Sequence, residues 1–222
     1  MYNFLIRTFI KDYQNVSDNK VRERYGKFSG IVGIVTNIIL FTIKIITGFL
    51  FHSISITTDA INNLSDSGSS LVTLIGFKLA GKPADEEHPY GHERIEYISG
   101  LIVSFIIVML GLQLIQNSFN KIINPDVPKF SIITIGVLIV SILIKIWQGF
   151  FYKAVGNKIN SSTITATAAD SLNDVYSTGA VLLGIIITYF TGFNLVGYIG
   201  VVVAVLIMIP GIRLILETST PL

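Results

Sequence analysis

Two pairs of oxygen-bearing side chains, each spaced four residues apart, interrupt stretches that are otherwise apolar enough to span a bilayer: Asn62 with Asp66, and Asp170 with Asp174. A carboxylate at bilayer depth costs about 2.5–3.5 kcal/mol even on the lenient insertion scale, so three of them require a compensating partner. A divalent cation is the natural one. In an α-helix, residues four apart lie one turn above each other, so each pair presents its oxygens to one side. Two such helices packed face to face would bring four donors to one point, a tetrahedral shell of one amide and three carboxylates. With no imidazole or thiolate among them, these donors suit Mn(II), Mg(II) or Fe(II) better than Zn(II) or Cu(I), although the affinity order still places Zn(II) above Mn(II). Protons are the other occupants able to neutralise three carboxylates crowded out of water. A departing cation replaced by protons is what metal/proton exchange requires.

The elements that must carry these pairs are transmembrane helices. Of the 222 residues, 51% are apolar and only 14% charged, and the apolar runs are longer than a soluble helix needs. Hydropathy windows predict an all-α membrane protein with six spans: Ser29 to Phe51, Ile54 to Ala80, Ile95 to Asn120, Phe130 to Tyr152, Thr163 to Phe190 and Leu195 to Leu216. The membrane domain is thus expected at 29–217, between an N-terminal segment, 1–28, and a short tail, 218–222. The second and fifth spans are studded with Ser, Thr, Asn and Asp, and such faces cannot point at lipid, so these two form the expected inner pair. Small residues beside each ligand pair, Ser65, Ser67, Gly68, Ser69 and Ser70 in one and Ser171, Ser177, Thr178, Gly179 and Ala180 in the other, predict close helix contact there.

Lys and Arg concentrate before the first span, between spans two and three (Lys78, Lys82, Arg94), between four and five (Lys153, Lys158) and after the sixth (Arg213). The other side carries only Lys121 and Lys129, which places both termini in the cytoplasm. No cleaved signal peptide is read at the N-terminus. The absence of cysteine excludes disulfides, thiolate metal sites and cysteine nucleophiles. The net charge of +2 is spread over the loops and is no nucleic-acid signature.

Other polar residues need placing. Lys44 and Lys145 fall within spans and are expected to snorkel to the headgroups, apart from the site. Asp59 lies on nearly the same face as Asn62 and Asp66 but nearer the outer mouth, as a candidate vestibule ligand. Asn63 and Asn173, one residue off the ligand faces, read as interhelical hydrogen-bonders. In the loop, Asp85, His88 and His92 have a spacing that can form a compact N/O metal site. His52 is assigned no role.

Together these residues resemble the transmembrane domain of a cation diffusion facilitator, a family of divalent-metal/proton antiporters. The resemblance runs from about Ser29 to Leu216. It is carried by Asn62-Asn63-Leu64-Ser65-Asp66 with the small residues that follow, by Asp170-Ser171-Leu172-Asn173-Asp174, and by the loop residues His88, Gly91, His92, Arg94 and Glu96. It implies a homodimer of six-helix protomers with an alternating-access site between spans two and five, exporting metal from the cytoplasm in exchange for protons. Zinc-transporting members carry Asp at the Asn62 position and His at the Asp170 position, so this chain resembles the manganese-type branch. The resemblance also implies that Arg94 locks the dimer against an acid beyond the sixth span, for which Glu217 is the nearby candidate. Family members usually continue into a cytoplasmic dimerisation domain that binds metal, whereas this sequence stops at Thr218-Ser219-Thr220-Pro221-Leu222, so either it is truncated or the natural protein lacks that domain.

The expected function is therefore Mn(II) export from a bacterial plasma membrane, with Fe(II), Zn(II) or Co(II) as co-substrates and no enzymatic activity. The alternatives are a zinc exporter of the same family and a non-transporting metal sensor. An intramembrane aspartyl hydrolase would need only one acid per helix, whereas here the acids come as pairs within a helix accompanied by Asn.

Overall fold

The computed structural model describes residues 2–50, 54–82, 92, 94–124, 131–192 and 195–219. These residues form helices α1 (Tyr2–Phe9), α2 (Asn19–Leu50), α3 (Ile54–Ala80), α4 (Arg94–Ile123), α5 (Ile132–Ile159), α6 (Ser162–Thr191) and α7 (Val196–Ser219), with no strand among the described residues. α2, α4, α5, α6 and α7 are long and apolar enough to cross a membrane. α3, at 27 residues, is long enough, but its Asn, Asp and Ser residues make it the polar exception.

α2 starts ten residues before the expected boundary because its N-terminal part is anchored by a cap and by packing, which a hydropathy window does not register. Asp18 accepts the Lys20 backbone N–H at 2.8 Å, satisfying an otherwise orphaned donor of the first turn. Val21 and Tyr25 then join Phe77, Phe151, Tyr152, Val155, Ile159, Ile164 and Ala168 in an apolar cluster that also receives Ile6 and Ile10 from the α1 region. Residues 1–28 are therefore not simply a tail before the first span. α5 likewise continues to Ile159, and only Asn160, in the left-handed region at φ 49°, and the N-cap Ser161 separate it from α6.

α2 packs mainly on α3, α4 on α7 and α5 on α6. The expected face-to-face packing of α3 and α6 is reduced to a slight contact, marked by the hydroxyls of Thr73 and Thr167 at 3.2 Å. Glycine explains the pairing. A Cβ at Gly33 of α2 would lie 2.3 Å from both Ser70 Oγ and Tyr152 Oη, and one at Gly30 would lie 2.7 Å from Leu74 Cβ. By contrast Gly68 and Gly179, read from sequence as contact residues, have open space around them.

Gly33→Val should therefore destabilise the bundle by about 1–3 kcal/mol through overpacking, while Gly68→Ala should not. Thermal unfolding in detergent checks this. Equal behaviour of the two variants would contradict the packing account.

Candidate functional site

Asp66 on α3 and Asp170 on α6 are buried, at 2% and 4% exposure, while Asn62 and Asp174 are half-buried. Two hydroxyls near Asp66 turn back to their own helix: Ser67 donates to the Asn63 carbonyl and Thr73 to the Ser69 carbonyl, both at 3.2 Å. They satisfy themselves and leave the carboxylates to find other partners. A small cleft of about 50 Å³ is lined by Asn62, by Asp170, Asn173, Asp174 and Ser177, and by Gln113 and Asn117 of α4, with apolar walls that include Ile107 and Ile207. Three of the four ligands read from sequence thus share one cleft, which is roomy enough for a few waters or a partly hydrated ion.

The fourth, Asp66, is held by Lys145 of α5. The Lys145 ammonium donates to Asp66 Oδ2 at 2.7 Å and to Asp174 Oδ2 at 2.5 Å. Lys145 does not snorkel. It is 2% exposed, because two carboxylates on neighbouring helices offer it counter-charge closer than any headgroup. The tetrahedral shell is correspondingly not assembled: among the described residues, no three His, Cys, Asp or Glu side chains stand close enough to hold a metal ion. Asp66 Oδ1 remains buried without a hydrogen-bond partner among them, a carboxylate oxygen with unspent capacity for a cation.

Lys44 departs from the snorkelling expectation in the same way. At 1% exposure it reaches Asp59 Oδ2 at 2.8 Å and donates to Asn63 Oδ1 at 3.0 Å. Asp59, expected in a vestibule, is instead an ion-pair partner and does not line the cleft. Asn63 does bond between helices, to α2; the Asn173 side-chain nitrogen is buried with no partner among the described residues.

Two polar arrangements escaped the sequence reading, which considered Lys145 but not the residues stacked with it. On α5, Ser141, Lys145, Gln148 and Tyr152 form one buried stripe: Gln148 donates to Thr36 Oγ1 at 2.9 Å, and Tyr152 Oη donates to the Ser29 carbonyl at 3.3 Å. Their spacing of four, three and four within an apolar span was the available signal. On α4, Gln113 and Asn117 are four apart and line the cleft opposite the acids, the same spacing that marked the ligand pairs.

The end of the bundle nearest the start of α2 is tied across four helices. Arg22 of α2 pairs with Glu96 of α4 at 3.0 Å and donates to the Ile159 carbonyl of α5, while Thr163 of α6 donates to the Glu96 carbonyl at 2.5 Å. Asp85 and His88 of the expected loop site lie outside the described residues. His92 is described and buried, its carbonyl accepting the Ile95 N–H at 3.0 Å. Arg94 is exposed at the start of α4, and the side chain of Glu217 lies outside the described residues.

Comparison with known proteins places these features in context. A family model for the cation efflux transmembrane domain matches residues 30–222. An uncharacterised transporter of Methanocaldococcus jannaschii is 35% identical over 177 residues, covering 80% of this chain and 62% of that protein. The manganese efflux system protein MneS of Bacillus subtilis is 34% identical over 178 residues, 76% of this chain and 60% of that protein. The magnetosome protein MamM of Magnetospirillum gryphiswaldense is 30% identical over 158 residues, 71% and 50% respectively. The chain therefore spans between 50% and 62% of the length of these relatives.

The Lys44–Asp59 pair is testable apart from transport. Removing one partner of a buried ion pair strands the other charge, so Lys44→Met should destabilise more than the Lys44→Met, Asp59→Asn double variant. A thermal-unfolding double-mutant cycle should return a coupling of about 1–3 kcal/mol. Additive losses would mean the pair contributes nothing.

Proposed function

This chain belongs to the cation efflux family, and from that premise we propose that it exports divalent metal ions, Mn(II) foremost, from the cytoplasm in exchange for protons. It is a multi-pass integral membrane protein, a transporter rather than an enzyme. The observation that carries the finer reading is that Asp66 of α3 and Asp174 of α6 are already brought close enough to share one cation, the Lys145 ammonium, with Asp174 also lining the cleft that holds Asn62 and Asp170. The donors available to cargo there are carboxylate and amide oxygens, which favours Mn(II) or Fe(II) over the softer metals. The relative named as a manganese efflux protein supports the same choice.

α3 serves as the sixth span in this reading. Its exposed positions include the apolar Ile61, Leu64, Leu71 and Ile75 beside Ser65, Gly68 and, near the helix end, Lys78, while Asn63, Asp66, Ser69, Ser70 and Thr73 are buried, an arrangement suited to lipid outside and an ion path inside. With both termini cytoplasmic, the Arg22–Glu96 tie lies at the cytoplasmic end, where the two residues line a wider cavity of about 490 Å³ together with Phe77, Tyr97 and Ile159. The cleft lies toward the other end, where Gln113, Asn117 and Ser177 line it. The working unit in this reading is a homodimer, and Asp85, His88 and His92 form an auxiliary cytoplasmic metal site.

Flux into proteoliposomes under an imposed pH gradient tests the proposal. Mn(II) should move and be driven by the gradient, and Asp66→Asn and Asp174→Asn should each reduce its flux to background. Asp170→His should shift preference toward Zn(II). Zn(II) transport in the parent chain, with Mn(II) neither moving nor competing, would overturn the ligand argument.

A further inference from the structure

We propose that Lys145 is a tethered competitor of the transported ion: its ammonium fills the carboxylate site when the carrier is empty and must leave before the metal can bind. The inference rests on the reading above that Asp66 and Asp174 ligate the cargo. It starts from geometry. One nitrogen stands 2.7 Å from an oxygen on α3 and 2.5 Å from an oxygen on α6, so it occupies the position between the two helices that a shared metal would take. Two cations cannot occupy that position together. Hard divalent ions bind carboxylate oxygens at about 2.0–2.6 Å, which leaves no room for an ammonium on the same lone pairs.

The pairing is also incomplete in a way that suits a temporary occupant. A single positive charge faces Asp66 and Asp174 with Asp170 nearby, and Asp66 Oδ1 receives no hydrogen bond among the described residues. A divalent ion can neutralise what the ammonium leaves over. Three residues further along the same face of α5, Gln148 keeps its Oε1 buried and without a partner among the described residues. That oxygen offers a displaced ammonium an acceptor. The lysine is thus anchored to a third helix, close to its acids and provided with somewhere else to go.

The consequence is a limit on metal affinity built into the fold. The metal sees only the fraction of carriers in which the carboxylates are free of lysine, and its apparent affinity is reduced by that fraction. The same competition hastens release, because the ammonium returns as the ion departs. The metal-free carrier is meanwhile spared uncompensated acids in the membrane interior.

Mn(II) binding to the purified full chain in nanodiscs, measured by calorimetry, tests this. Lys145→Ala and Lys145→Gln should bind Mn(II) at least about tenfold tighter than the parent chain, with slower turnover in proteoliposomes. Millimolar propylammonium should weaken Mn(II) binding to Lys145→Ala competitively and leave the parent chain unaffected, a response that a merely structural lysine would not give. Lys145→Arg keeps the charge and so remains informative if the neutral variants do not fold. Its planar fork grips carboxylates in two bonds, so it should bind Mn(II) more weakly than the parent. Unchanged or weaker binding in the folded neutral variants, no effect of propylammonium, or tighter binding in Lys145→Arg would each overturn the proposal alone, provided Asp66→Asn loses Mn(II). Full Mn(II) binding by Asp66→Asn would instead remove the site reading, and the competitor with it.

Discussion

Three carboxylates held away from water must share positive charge, and the structure is arranged around supplying it. Asp66, Asp170 and Asp174 come from two helices, and Lys145 arrives from a third to bind the first and last of them. That one ammonium links α3, α5 and α6 more directly than the slight contact between α3 and α6 does. The neighbouring hydroxyls do not compete for it, since Ser67, Thr73, Thr167 and Ser171 each donate to the carbonyl four residues back. The acids are left with a single strong partner. Lys44, Asp59 and Asn63 repeat the solution on a smaller scale between α2 and α3.

Around this polar centre the apolar residues do two jobs. At one end, aromatic and aliphatic side chains from α2, α3, α5 and α6 make a packed cluster, covered by residues from the α1 region and crossed by the Arg22–Glu96 pair. Toward the other end, the packing gives way to the cleft between α4 and α6. Glycines decide which helices can meet closely. Gly33 admits Ser70 and Tyr152, and Gly111 of α4 admits the Met208 side chain of α7. The outward faces carry the remaining large hydrophobics. The polar centre thus lies between an end tied by the Arg22–Glu96 pair, which also lines a cavity of about 490 Å³, and the cleft that holds Asn62, Asp170 and Asp174.

Much of this was legible in the sequence, because the signals were local. The span Ile54 to Ala80 was read with the bounds that α3 has. Three of the four ligand residues line the cleft and the fourth is bound to the same cation as one of them. What was not legible depends on neighbours. The snorkelling argument for Lys145 weighs one side chain against the headgroups and omits carboxylates contributed by other helices. Small residues at 65–70 mark a helix that can approach something, but not which helix, and α2 proved to be the partner. The early start of α2 rests on the Asp18 cap and on Val21 and Tyr25, which hydropathy averages dilute among charged neighbours. Gln113 and Asn117 carried the right spacing, yet without carboxylates they gave no energetic reason to single them out.

The central claim is that oxygens from α3 and α6 hold the transported ion at one place. Anomalous scattering at the manganese absorption edge, from crystals grown with Mn(II), tests it most directly. One intramembrane peak bounded by Asn62, Asp66, Asp170 and Asp174 is the result predicted. Peaks confined to the surface or loops, with Lys145 bound to Asp66 and Asp174, would contradict it.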